Sequence, residues 1–320
     1  MRLLFISSTR VGDAILSTGL LDRLIRENPG LRVTVACGPA AASLFEAVPG
    51  LERIIVLNKM MFSMHWPMLW ASCSGWIWDI LVDLRNSPMF FLMPSRKRWR
   101  LKRSPVPEHR IKQLARTMKL EDAPPAPKLW TNETIEKEAQ ALIPDGSPVL
   151  AVGPTANWRA KTWRAEYFSD LIERLTAPGG ILPGGRVAVL GRDDERPGAL
   201  RLIEAIPEDK RLDLIGRVDL LVAYACLKRC AFYVGNDSGL MHLAAATGIP
   251  TLGLFGPSPK TYYAPWGPLS SVVSTSVPYE KIFPPHFDHK ASDTLMDSLS
   301  VDKAEEAARN LWKRAREADE

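Results

Sequence analysis

Little in this sequence belongs to a secreted, metal-held or membrane-spanning protein. There are four cysteines in 320 residues, Cys37, Cys73, Cys226 and Cys230. Only the last two lie close together, and no histidine or second cysteine pair stands at zinc-ligand spacing, so small buried apolar roles are expected for them rather than a disulfide or a metal site. The chain enters the apolar stretch Arg2-Leu-Leu-Phe-Ile6 without a basic, apolar and cleavable leader, and a reducing cytoplasmic compartment is the expectation. Long apolar runs are missing too. Met60 to Trp78 carries no formal charge, yet His65, Pro67, Ser72, Ser74 and Gly75 dilute it too far for an inserted helix, and Asp79 closes it. A helix or loop followed by a buried strand at Trp78 to Leu84 is the better reading, with interfacial contact left open by the tryptophans. The first strand is not followed by G-x-G-x-x-G, so a dinucleotide site has little support. No nucleic-acid motif accompanies the basic residues.

What is present is an ordinary globular composition, 46% hydrophobic and 24% charged, with a net charge of +5. That balance suits an anionic substrate or surface without demanding nucleic acid. A chain of this length exceeds what one core usually fills, so two domains are expected. Strand and helix signals alternate: strand Leu3 to Ser7, helix Asp13 to Arg26, strand Leu31 to Ala36, helix Ala40 to Ala47, strands Arg53 to Leu57 and Ile80 to Leu84. Proline-rich segments at Glu121 to Lys128 and Pro144 to Pro148 interrupt the rhythm and read as an interdomain connection. The alternation then restarts, with strands at Val149 to Val152, Arg186 to Leu190, Leu212 to Ile215 and Phe232 to Val234. Helices fall at Ala165 to Leu175, Pro197 to Ala205 and Asp219 to Lys228, and Val301 to Ala318 is a last amphipathic helix. Strands separated by helices imply parallel βαβ units and two similar α/β halves.

Four loops follow predicted strands, where open α/β sheets hold ligands. Gly235-Asn-Asp-Ser-Gly-Leu-Met-His242 enters a short helix, Leu240 to Thr247, whose unpaired N–H groups and positive dipole end suit a phosphate. Arg10-Val-Gly12-Asp13 follows the first strand: Gly12 allows close backbone approach, and Asp13 caps the first helix or accepts a proton from an attacking hydroxyl. Gly153-Pro-Thr155 leads to Lys161-Thr162-Trp163, whose ammonium suits a diphosphate. Gly191 to Arg196 presents Glu195, an acid able to bind ribose hydroxyls. Taken singly, each also reads as a helix cap, a solvated lysine or a polar loop. Arg96, Lys97, Arg98, Arg100, Lys102 and Arg103 form a basic run after Phe90-Phe-Leu-Met-Pro94. It reads as a solvated face, or as a surface for an anionic lipid or a phosphorylated glycan.

Together these loops resemble glycosyltransferase family 9, the lipopolysaccharide heptosyltransferases. The matching pieces are Gly12-Asp13 with Ser17-Thr18, Lys161-Thr162-Trp163, Gly216, and Asp237-Ser-Gly-Leu-Met-His242 with Phe255-Gly-Pro-Ser258. Gly19 stands where a proline is usual and Ser238 where threonine is commoner. The resemblance implies a GT-B fold of two facing Rossmann-like domains with a central cleft. An acceptor-binding domain would span 1–145, a donor-binding domain 146–300, and a helix at 301–320 would return to the first domain. It implies inverting transfer of a heptose or related sugar from an ADP-activated donor, with no bound catalytic metal or other cofactor. The acceptor would be a lipopolysaccharide core or another anionic glycolipid, and the basic run leaves contact with the inner face of the inner membrane open. Asp13 would be the general base. Gly12, Thr155, Lys161, Glu195, Asp237, Ser238, Gly239, Leu240 and His242 would bind the donor. A nucleotide-sugar epimerase or a non-catalytic glycan-binding protein on the same scaffold remains as the alternative.

Overall fold

The computed structural model describes all residues except Arg103, Pro105, Pro285, 289–291 and Glu320. The chain divides into two compact units, Met1–Asn132 and Glu133–Glu320.

The first unit begins β1 (Arg2–Ile6), α1 (Val11–Glu27), β2 (Arg32–Cys37) and β3 (Leu51–Val56). It continues α2 (His65–Cys73), β4 (Trp78–Asp83), α3 (Met89–Leu92), β5 (Ser95–Arg100) and α4 (Arg110–Arg116). All five strands are parallel, in the order β3-β2-β1-β4-β5. Central β1 is an unbroken apolar run buried from Leu3 to Ile6, as a strand covered on both faces must be. The expected helix at 40–47 is a 3₁₀ turn, Pro39–Phe45, which its opening proline and run of small residues permit. The basic run is largely strand: β5 is the edge of the sheet, pairing with β4 along Trp78 to Asp83. Cations on an edge strand discourage further pairing.

The second unit contains α5 (Glu133–Leu142), β6 (Val149–Gly153), α6 (Ala165–Thr176), β7 (Arg186–Val189), α7 (Arg196–Ala205) and β8 (Arg211–Asp213). Then come α8 (Leu220–Lys228), β9 (Phe232–Asn236), α9 (Gly239–Thr247), β10 (Thr251–Phe255), α10 (Lys260–Tyr263), β11 (Ser270–Ser274) and α11 (Val301–Asp319). Its six strands are parallel in the order β11-β10-β9-β6-β7-β8.

Three features depart from the sequence reading. The unit boundary lies at 132/133 rather than 145/146, because α5 packs on α8: Lys228 Nζ bonds Glu136 at 2.6 Å, and Arg229 Nε bonds the Ile143 carbonyl at 2.7 Å. The last helix buries Val301, Ala304, Ala308 and Leu311 in the core of the second unit, with Trp312 edge-on to Phe232, contacts that the sequence reading did not contain. The proline-rich segment before the boundary is not a loose tether. Thr18 Oγ1 accepts the Lys128 N–H at 3.0 Å, and Gly19 lies so close under the Pro125 and Ala126 carbonyls that a Cβ there has no room.

Candidate active site

In the second unit β6 and β9 are neighbours, with Gly153 opposite Gly235 at their carboxyl ends. The Tyr233 side chain lies beneath both, where a Cβ on either glycine would strike its hydroxyl. Burial pushes the Tyr233 phenol well above its usual range. The tyrosine is therefore a neutral prop under the two strand ends.

Asn236 joins the loops that leave those strands. It is fully buried; its Nδ2 donates to the Pro154 carbonyl at 2.7 Å, and its Oδ1 accepts the Trp163 N–H at 3.0 Å. From the far side, the segment 294–299 straps the same loop. Thr294 Oγ1 donates to the Thr162 carbonyl at 2.6 Å, Leu295 N–H to the Ala160 carbonyl at 2.9 Å, and Trp163 Nε1 to the Leu299 carbonyl at 2.9 Å. Held this way, Lys161 places its ammonium on Asp237 Oδ2 at 2.5 Å, in a pair whose side chains are 19% and 7% exposed.

Asp237 thus turns its carboxylate to Lys161, and its own N–H is spent on the Leu254 carbonyl at 3.3 Å. The groups left for an anion are those of the next turn. Ser238 is the extended N-cap of α9 and its side chain bonds no helix N–H. Gly239 and Leu240, partly exposed, open the helix, whose first N–H groups have no partner within it. His242 is buried one turn in, its ring 6.5 Å from that of Tyr263. Left-handed Gly248 ends the helix, at φ 90°.

The other half of the unit brings Thr155 and Glu195 together. Thr155, just past β6, donates from Oγ1 to Glu195 Oε2 at 2.9 Å, and the Arg192 N–H reaches the same oxygen at 3.0 Å. Arg196, next in the chain, clamps Asp213 at 2.8 and 3.2 Å and the Ile215 carbonyl at 2.7 Å. A carboxylate so held is a fixed acceptor suited to a pair of hydroxyls.

In the first unit, Asp13 is not the N-cap of α1. The helix starts at Val11 with Arg10 as its extended cap, and Asp13 sits in the first turn, favourably placed on the dipole. Its Oδ1 accepts Arg110 Nε at 3.1 Å across 97 residues, and Arg110 also reaches Gln113 Oε1 at 3.1 Å. Gly12 is partly exposed beside it. Ser17 bonds Ser7 at 3.0 Å and the Ala14 carbonyl at 2.7 Å, fixing α1 to the end of β1. Arg96, Lys97, Arg98, Arg100 and Lys102 are all exposed, whereas Arg103 lies outside the described residues. The four cysteines are buried free thiols; burial pushes Cys37 and Cys226 up to about 12 and Cys73 to about 11, so none is a thiolate at neutral pH. Among the described residues no three His, Cys, Asp or Glu side chains cluster as a metal site, and no helix is long and apolar enough to cross a membrane.

Sequence reasoning missed Asn236, Tyr233, Arg110 and the 294–299 strap. A polar side chain at the end of a buried strand was the available signal for Asn236, and a tyrosine two residues before a glycine in the same strand was that for Tyr233; Arg110 and the strap act through contacts too distant in the chain to leave one.

Residues 83–283 match the model of glycosyltransferase family 9 (heptosyltransferase). Over 312 residues the chain is 26% identical to lipooligosaccharide heptosyltransferase 2 of Haemophilus influenzae, covering 85% of this chain and 88% of that one. Among solved structures it superposes on a glycosyl transferase family 9 protein from Veillonella parvula with a TM-score of 0.78 at 19% identity, covering 98% and 97% of the two chains. It superposes on the ADP-heptose lps heptosyltransferase II of E. coli with a TM-score of 0.77 at 19% identity, covering 99% and 100%. The fold is that of these GT-B proteins.

Proposed function

Because the chain belongs to glycosyltransferase family 9, the heptosyltransferases, and is a glycosyltransferase, we propose that it moves a heptose from an ADP-activated donor to a hydroxyl of a lipopolysaccharide core, with inversion at the anomeric carbon. The observation that carries this reading is the Lys161–Asp237 pair beside the open first turn of α9, with Thr155–Glu195 on the same sheet. An ammonium next to unpaired helix N–H groups fits a diphosphate, and a fixed acid nearby fits a ribose. The E. coli relative of the same fold is named for ADP-heptose, which supports adenosine as the nucleoside.

In this mechanism Asp13 takes the proton of the acceptor hydroxyl, and the oxygen forms a bond to the anomeric carbon. The bond from that carbon to the β-phosphate oxygen breaks, and ADP leaves with the electron pair. Arg110 keeps Asp13 aimed. Negative charge grows on the leaving diphosphate, and the N–H groups of Ser238, Gly239 and Leu240 with Lys161 stabilise it more in the transition state than in the bound donor. Asp237 holds Lys161 in place, and His242 lines the sugar side of the turn.

Calorimetry with ADP-, GDP-, UDP- and dTDP-sugars tests the donor: ADP-heptose binds best, and preference for another nucleotide overturns the assignment. Asp13→Ala abolishes transfer while leaving donor affinity near that of the native chain; unchanged turnover removes Asp13 as the base.

A further inference from the structure

Helix α2 is apolar on both faces. Inward, Leu69 and Cys73 join a buried cluster with Leu81, Met89 and Met93. Outward, Met64, Met68 and Trp70 are exposed, and Phe62 in the preceding turn is 90% exposed. A helix that is apolar all round needs cover on both sides, and an exposed patch of this kind marks an interaction surface. The patch continues onto α3, which packs on α2 and exposes Phe91 and Leu92.

Cations border it. The Arg98 guanidinium lies 5.7 Å from the Phe90 ring centre, and that of Arg100 lies 5.2 Å from Phe90 and 5.3 Å from Phe91. With Lys119 and Thr117 they line a pocket of about 540 Å³. Thr117 is 3% exposed, and its Oγ1 has no hydrogen-bond partner among the described residues. Arg96 has Asp79 at 3.4 Å, but Lys97, Arg98, Arg100 and Lys102 have no carboxylate partner among the described residues.

We propose that this face docks on an anionic bilayer. Phe62, Met68 and Trp70 enter the boundary between headgroups and acyl chains, and a headgroup phosphate sits among Arg98, Arg100 and the Thr117 hydroxyl. Tryptophan and methionine at the apolar boundary, with arginines reaching the phosphate layer, divide the labour as an interfacial site requires. A second copy meeting this face with its own would cover the apolar side chains but set cation against cation; an anionic bilayer supplies both an apolar and an anionic partner. The docking does not depend on which sugar is transferred.

Flotation of the full chain with vesicles tests it, comparing equal parts phosphatidylglycerol and phosphatidylcholine against phosphatidylcholine alone. The native chain floats with the anionic vesicles and roughly tenfold less with the neutral ones, and raised salt weakens the binding. Met68→Ser with Trp70→Ser, and separately Arg98→Glu with Arg100→Glu, each lower the bound fraction by roughly tenfold, with an unchanged thermal transition as the control for folding. Lipids brominated on their acyl chains quench tryptophan fluorescence in the native chain, and Trp70→Phe removes part of that quenching. Folded native chain that stays in the aqueous phase, or paired variants that float like it, overturns the proposal. So does a dimer that the Met68/Trp70 variant converts to monomer. ADP release by the native chain with an acceptor stripped of its acyl chains is read separately, so failure of docking and failure of the proposed transfer are told apart.

Discussion

With side-chain exposures of 19% and 7%, Lys161 and Asp237 are far enough from water that neither charge is cheap to leave alone. Removing the lysine strands a buried carboxylate; removing both charges does not. Lys161→Met is therefore expected to lower stability by roughly 3 kcal/mol, and Lys161→Met with Asp237→Asn to recover most of that loss. Turnover behaves differently. If Lys161 stabilises the leaving diphosphate, both variants lose it by about 10²–10³-fold. Denaturant unfolding beside steady-state kinetics separates the two effects, and recovery of turnover in the double variant would falsify the electrostatic role. Asn236 makes a contrasting case. Asn236→Ala leaves the buried Trp163 N–H and Pro154 carbonyl unpaired, at a cost of about 1–3 kcal/mol. It also frees the Lys161 loop, so kcat falls more than donor affinity. Lys161 and Asp237 were visible in the sequence because each stands in a short loop between a strand and a helix. The bond between them, 76 residues apart, was not.

Whole elements were legible where the chain repeats the physics of a parallel sheet. The apolar run of β9, the small and polar residues of the turn, and the apolar α9 ending at Gly248 all follow local rules. β5 does not. Ser-Arg-Lys-Arg-Trp-Arg has no apolar alternation and is a strand only because the edge of β4 offers it unpaired backbone groups. The junction of β7, α7 and β8 was read in outline, but the ion pair that sets it was not. Burial raises the Asp213 carboxyl, yet the Arg196 clamp, the Ile215 N–H and the charges of Arg196 and Arg217 outweigh it and hold its pKa below the usual aspartate value. A depressed folded-state pKa contributes stability that is complete above the unfolded value, near 4, and is lost as pH falls through the lower folded one. Asp213→Asn is accordingly expected to destabilise the chain by about 1–2 kcal/mol at neutral pH and to flatten the acid limb of its stability curve. Thermal unfolding between neutral pH and about pH 3 reads this. An acid limb as steep as that of the native chain excludes Asp213 as its source. Since Arg196 follows Glu195 directly, the variant also weakens binding of the ribose that Glu195 is proposed to hold.

At the scale of the molecule, two sheets in series were readable from the restart of the strand–helix rhythm, but the place where one unit ends was not. Proline density pointed to 145/146. The division falls at 132/133 because α5 covers α8, a helix buried from Leu221 to Leu227. The covering residues, Ala139 and Ile143, contribute too little apolar surface to announce themselves. The boundary makes a sharp prediction about fragments. Residues 133–320 keep α5, the Lys228–Glu136 and Arg229–Ile143 bonds, α11 and every proposed donor-binding residue except Gly12. That fragment is expected to fold and, by calorimetry, to bind ADP within about threefold of the full chain. Residues 146–320 uncover α8. Each re-exposed leucine-sized side chain costs about 1.5–3 kcal/mol, against a margin of about 5–15 kcal/mol for a whole domain, so this shorter piece should melt well below the longer one or fail to fold. Equal stability of the two fragments would return the boundary to the proline-rich segment. A well-folded 133–320 that binds ADP far more weakly than the full chain would instead assign part of the nucleotide's affinity to the first unit, where Gly12 is the residue proposed to contact the donor.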